Sequence, residues 1–123
     1  MGKLEKKVAL ITGAGSGIGK ATAKKFADEG AQVVVQDFNK ESAEEVCANL
    51  TGVGHFAISG DVSNEQDMES VFSEIKKRCE RLDVLVNNAG VSGGPEGLGA
   101  IKYESFMRML EVHMGRAFIC TQA

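Results

Sequence analysis

Four short apolar runs divide this chain: Val8 to Ile11, Val33 to Val35, His55 to Ile58 and Val84 to Val86. Each is apolar, or nearly so, along its whole length. Successive side chains of a strand point to opposite faces, so such runs need cover on both sides. Helices on both faces of a parallel sheet provide it, and the segments between the runs carry helical spacing. Ile18, Thr22 and Phe26 fall at i, i+4 steps. Ala43, Val46, Cys47 and Leu50 mark a second helix, and Met68, Val71, Phe72, Ile75 and Cys79 a third. Ser63 and Gln66 read as a capping box opening the third helix. A fourth helical pattern starts near Tyr103 and runs to Ala123. Between the fourth strand and that pattern, residues 91–102 hold four glycines and the only proline, the composition of a surface loop.

The chain has 15 glycines against one proline, and a cluster of them stands directly after the first strand, in "LITGAGSGIGKATAKKF". A helix starting there offers unpaired backbone N–H groups and a positive dipole end, which suits a phosphate. The spacing decides among three phosphate turns. A P-loop needs Gly where Ala14 stands and Ser or Thr where Ala21 stands. The common G-x-G-x-x-G turn, started at Gly13 and Gly15, needs Gly where Ile18 stands. Gly13, Gly17 and Gly19 instead give G-x-x-x-G-x-G, a variant of the dinucleotide turn, with Gly15 as an extra.

Asp37 ends the second strand, 18 positions beyond Gly19. An acidic group there accepts hydrogen bonds from the two hydroxyls of an adenosine ribose and repels a 2′-phosphate. Ser16 in the turn and Phe38 after the acid supply no cation for such a phosphate, so NAD is expected over NADP.

A net charge of −3 with scattered lysines gives no basic patch for nucleic acid or an anionic membrane. No apolar run reaches the roughly 18 to 20 residues of a membrane span, and "MGKLEKKVALI" lacks a signal peptide's apolar core. A cytoplasmic location is expected. Cys47, Cys79 and Cys120 are far apart and odd in number, fitting reduced, partly buried thiols. With His55 and His113 the only histidines, no metal site is expected. At 123 residues, one domain over 1–123 is the expectation.

Four motifs in order resemble the short-chain dehydrogenase/reductase family: "TGAGSGIG" at 12–19, Asp37, "DV" at 61–62 and "NNAG" at 87–90. The resemblance covers Lys7 to Ala123. It implies a Rossmann-type parallel sheet with flanking helices and strand order 3-2-1-4. It also implies roles position by position. Gly13, Ser16 and Ile18, with Gly17 and Gly19, form the pyrophosphate turn. Asp37, followed by Phe38, meets the ribose; Asp61 and Val62 meet the adenine; Asn88, Ala89 and Gly90 wall the central ribose.

The family moves a hydride between nicotinamide and an alcohol or carbonyl carbon. A Tyr handles the proton, a Lys four residues later lowers its pKa, and a Ser orients the substrate. An unperturbed tyrosine, at about pKa 10, is a poor base at neutral pH. Here the only tyrosine is Tyr103, followed four positions later by Met107, so it reads as a packing residue and no catalytic residue is assigned. His113 stands where the family's helix after the fourth strand usually has Asn, and with no Tyr–Lys pair to serve it is given no present catalytic role.

Read as helix to its end, the chain stops with the Val84–Val86 strand as an open apolar edge. Two accounts of that ending stand. One is a truncated oxidoreductase that binds nicotinamide dinucleotide and, when intact, a small alcohol or ketone, commonly as a homo-oligomer. The other is a short, non-catalytic nucleotide-binding or self-associating protein.

Overall fold

The structure, a computed structural model, describes residues 2–62, 64–79, 81–88 and the strand 118–121. The order is β1 (Val8–Ile11), α1 (Gly17–Asp28), β2 (Gln32–Asp37), α2 (Lys40–Ala48), β3 (Phe56–Ser59), α3 (Glu65–Cys79), β4 (Val84–Asn87) and β5 (Phe118–Thr121). All pairings are parallel, and the strands lie in the order β3-β2-β1-β4-β5. The expected 3-2-1-4 order is therefore present, and β5 continues it.

That fifth strand corrects the reading of the chain's end. Residues 118–121 are extended and pair with β4 in the register Val84↔Phe118 to Asn87↔Thr121. β4 is thus an inner strand, and the open apolar edge that would have favoured self-association does not exist there. The rest of the expected fourth helix, with Tyr103 and His113, lies outside the described residues.

The core is built in two layers from alternate residues of the same strands. Val8, Leu10, Val34 and Leu85 face α3, where Met68, Val71, Phe72 and Ile75 are buried against them. Ala9, Ile11, Val33, Val35 and Val86 face the other way, against Ala23 and Ala27 of α1 and Ala43 and Val46 of α2. This is why the strand runs are apolar without alternation.

Helix α1 departs from its expected face. Its buried stripe is Gly19, Ala23 and Ala27, while Ile18 is 63% exposed. The smallest residues, not the largest, face the sheet and let the helix axis come close to it. Phe26 packs at the margin of that layer. α3 is also capped differently. It opens at Glu65, and Asn64 Oδ1 accepts from Asp67 N at 2.9 Å, so Asn64 holds the place given to a Ser63 capping box. Ser63 itself lies outside the described residues. α2 is capped by Asn39, whose side chain accepts from Ser42 N at 3.0 Å.

Cys47 and Cys79 are free and half-buried, as expected, and burial pushes both thiols up. Among the described residues no helix is long and apolar enough to cross a membrane.

The two layers predict opposite outcomes for two large apolar residues. Phe72→Ala should destabilise the chain by about 3–5 kcal/mol in urea unfolding, whereas Ile18→Ala should change it by less than about 0.5 kcal/mol. A large loss at Ile18 would mean that α1 packs on its more hydrophobic stripe after all.

Candidate functional site

The predicted residues gather at one end of the sheet, where β1, β2, β3 and β4 finish side by side. In open α/β sheets the crevice outside the carboxyl ends of the strands is where ligands bind. Gly13 to Gly19 follow β1, Asp37 ends β2, Asp61 and Val62 follow β3, and Asn88 follows β4. Ala89 and Gly90 lie outside the described residues.

The glycine turn has two kinds of glycine. Gly17 has φ +58°, in the left-handed region, with nothing within 4 Å of a Cβ placed on it, so its constraint is conformational. Gly19 is constrained by crowding. A Cβ there would overlap the Gly13 carbonyl oxygen and come within 2.7 Å of Asn88 Nδ2. The missing side chain therefore lets α1 begin directly against the ends of β1 and β4.

Helix α1 starts without a side-chain cap. Ser16 is its N-cap residue, extended at φ −161°, and its hydroxyl bonds no amide of the first turn. The first N–H groups of a helix have no intrahelical acceptor, so this end presents donors and a positive dipole to the crevice. Ser16, Gly17 and Ile18 are all exposed beside it.

A knot of hydrogen bonds joins the β1 and β4 ends beneath the turn. Thr12 is fully buried, and its hydroxyl accepts from Asn88 N at 2.9 Å. The same oxygen stands 3.3 Å from Asn87 Oδ1 and 3.4 Å from the Val86 carbonyl oxygen. Asn88 Nδ2 donates to the Gly13 carbonyl at 3.2 Å. The sequence marked Asn88 but gave Thr12 no part, because the tie spans 76 positions.

Asp37 meets the turn through Gly15. Its Oδ2 accepts from Gly15 N at 2.7 Å and its Oδ1 from Asn39 N at 3.0 Å. A Cβ on Gly15 would stand 2.8 Å from Asp37 Oδ2 and 2.9 Å from Ser42 Cβ. The glycine that looked like an extra is the point of contact between turn and acid. Phe38, next to it, is 77% exposed.

Just after β3, Gly60 N donates to the Asp37 carbonyl oxygen at 3.1 Å, and the buried Gln36 donates through Nε2 to the Gly60 carbonyl at 2.7 Å. Asp61 N then donates to Asp67 Oδ2 at 3.0 Å, fixing the exit of β3 to α3. Val62 packs at the edge of the α3 layer. Gln36, which follows the Val33–Val35 run and precedes Asp37, carried no signal of its own in the sequence.

The crowding around Gly19 gives a direct test. Gly19→Ala should cost about 1–3 kcal/mol of stability by overpacking. Because Asn88 is one of the two groups it would strike, Gly19→Ala combined with Asn88→Ala should cost less than the sum of the single changes. Strict additivity in urea unfolding would show that the two residues do not compete for the same space.

Comparison with known proteins gives the family of the chain. The family model for short chain dehydrogenase matches residues 7–123. An uncharacterized oxidoreductase of Bacillus subtilis (strain 168) is 40% identical over 99% of this chain, which covers 45% of that protein. The crystal structure of a hydroxysteroid dehydrogenase from Escherichia coli superposes with a TM-score of 0.83 at 34% identity, over 96% of this chain and 54% of that one. A 3-ketoacyl-(acyl-carrier-protein) reductase from Brucella melitensis, solved with NADH, gives a TM-score of 0.70 at 41% identity, over 89% of this chain and 45% of that one. The chain thus spans about half the length of the relatives it matches. Matched by the family model over residues 7–123 and by a relative 40% identical over 99% of its length, the chain belongs to the short-chain dehydrogenase family.

Proposed function

We propose that this chain forms the nucleotide-binding part of an oxidoreductase that transfers a hydride between NAD(H) and an alcohol or carbonyl carbon. The observation that carries the reading is the Asp37 carboxylate, held against the glycine turn by Gly15 N–H at 2.7 Å. The nearby helix end is uncapped, and Gly17 leaves open space in front of it. A diphosphate fits that cradle, since it needs donors and room rather than cations. The Brucella relative's NADH supports a nicotinamide cofactor.

In this reading Gly13, Ser16, Gly17, Ile18 and Gly19 surround the pyrophosphate, and the backbone amides of the α1 start neutralise part of its charge. Asp37 accepts from the adenosine ribose hydroxyls with the lone pairs left free by Gly15 and Asn39. Phe38, Asp61 and Val62 flank the adenine, and Asn88 to Gly90 lie beside the second ribose. Asp37 sets the preference for NAD, because a 2′-phosphate would bring a second negative charge against its carboxylate.

Bound nicotinamide supplies the hydride chemistry. The proton-handling pair does not come from these 123 residues, since Tyr103 is followed four positions later by Met107. Turnover, the alcohol or ketone substrate and any homo-oligomer are therefore assigned to the whole protein.

Titrations with NAD and NADP test the proposal. NAD should bind more tightly, and Asp37→Ala should weaken NAD by about 10- to 100-fold, as expected for charged hydrogen bonds worth about 1.5–3 kcal/mol. A tighter complex with NADP, or an unchanged NAD affinity in the variant, would overturn the assignment.

A further inference from the structure

The opposite end of the sheet holds a histidine with both ring nitrogens engaged. His55 lies just before β3, and its Nδ1 is 3.0 Å from Val33 N, with the amide hydrogen pointing at it. Its Nε2 is 2.7 Å from the Thr51 carbonyl oxygen. An amide can only donate and a carbonyl can only accept. The ring must therefore be neutral, with its hydrogen on Nε2 and a lone pair on Nδ1.

The Val33 bond is a rung of the sheet made by a side chain. Gln32 N donates to the Lys7 carbonyl at 2.9 Å, toward β1, so the next amide along β2 points the other way, toward β3. The β2–β3 register begins at Val34↔Phe56, which sets His55 beside Val33. The imidazole stands in for a main-chain carbonyl at the rung before the ladder starts.

We infer that His55 is a pH-sensitive latch that holds the 51–54 turn against β2 while neutral and releases it when protonated. Protonation converts Nδ1 from acceptor to donor, so that two N–H groups face each other across the Val33 rung. The Nε2–H bond to Thr51 is not lost, because a charged ring donates more strongly. The break therefore falls between His55 and β2, and the turn moves with the ring.

The turn's remaining ties are few. Gln32 Nε2 donates to the Gly54 carbonyl at 2.7 Å, and the Thr51 hydroxyl donates to Asp28 Oδ1 at 2.8 Å. Gly52 and Gly54 have φ +95° and +90°, and Val53 between them is 90% exposed, so little packing opposes release. Behind the turn is a cavity of about 280 Å³, lined by Lys6, Lys7, Ala31, Val53 and His55 among others, which release would open. The charged groups of neighbouring elements around His55 are Lys6 and Lys7, which line the same cavity ahead of β1, and Asp28 of α1, which is reached through Thr51. Arg78 of α3 lies over the ring of the adjacent Phe56 at 4.5 Å.

The sign follows from proton uptake. The released form binds one proton more than the latched form, so the latch is complete at high pH and weakens as pH falls.

Nitrogen NMR of the wild-type chain at pH 8 should show the Nε2–H tautomer for His55. Amide exchange of Val33, taken as a ratio to Val34 in the same strand to cancel the intrinsic pH dependence, should then accelerate as pH is lowered, by at most about tenfold per pH unit for the uptake of one proton. His55→Asn keeps an acceptor without a titrating group, and in it the ratio should stay flat. An Nδ1–H tautomer, a constant ratio while the ring titrates, or the same acceleration in His55→Asn would each overturn the latch.

Discussion

The structure is referenced to β1, a four-residue strand buried on both faces and paired on both edges. Its register with β2 runs from Val8↔Gln32 and with β4 from Ala9↔Val84, and Ala9, Leu10 and Ile11 are all fully buried. A strand in that position has no freedom to slip, since moving it by one residue would exchange its two faces. Wherever β1 stops, the chain must turn in a fixed place, and it stops at Thr12 and Gly13. The uncapped start of α1, the Asn88 tie and the approach to Asp37 all inherit their positions from that stop.

The sheet was legible because burial on both faces leaves an unmistakable pattern. Val8 to Ile11 coincides with β1, and the other three runs differ from their strands by one or two residues at the ends. The faces of the helices were less legible. Hydrophobic spacing favoured Ile18, Thr22 and Phe26, but contact with a flat sheet at short range selects small side chains, and Gly19, Ala23 and Ala27 were one residue out of phase. β5 was hidden for a different reason. Four apolar or β-branched residues inside a longer apolar-spaced segment fit a helix turn as well as a short strand, and only the partner strand, 34 positions back, decides between them.

The candidate site divides in the same way. Gly13, Gly17, Gly19 and Asp37 announce themselves through spacing, which matches the offsets expected of a dinucleotide turn followed by a strand-end acid. Thr12, Gly15 and Gln36 do not. Each acts on a residue distant in sequence: Thr12 on Asn88, Gly15 on Asp37, Gln36 on Gly60. Their residue types are unremarkable where they stand, and their importance arises only when three strand ends are brought together.

Asp37 joins these local ties into one device. Its Oδ2 is fixed by the glycine turn and its Oδ1 by the amide of Asn39, whose own side chain caps α2 through Ser42 N. The turn, the acid and the start of α2 thus hold one another, and a side chain at Gly15 would strike both Asp37 and Ser42. A carboxylate oriented by two backbone donors loses little further freedom when it accepts hydrogen bonds from a ligand, so more of their strength remains as affinity. Two donors also leave each oxygen a lone pair for a ribose hydroxyl, whereas a third, cationic partner would have competed for them. Neither Ser16 nor Phe38 is basic, so neither position brings a cation to a 2′-phosphate or to the Asp37 carboxylate, which suits the proposed NAD preference on both counts.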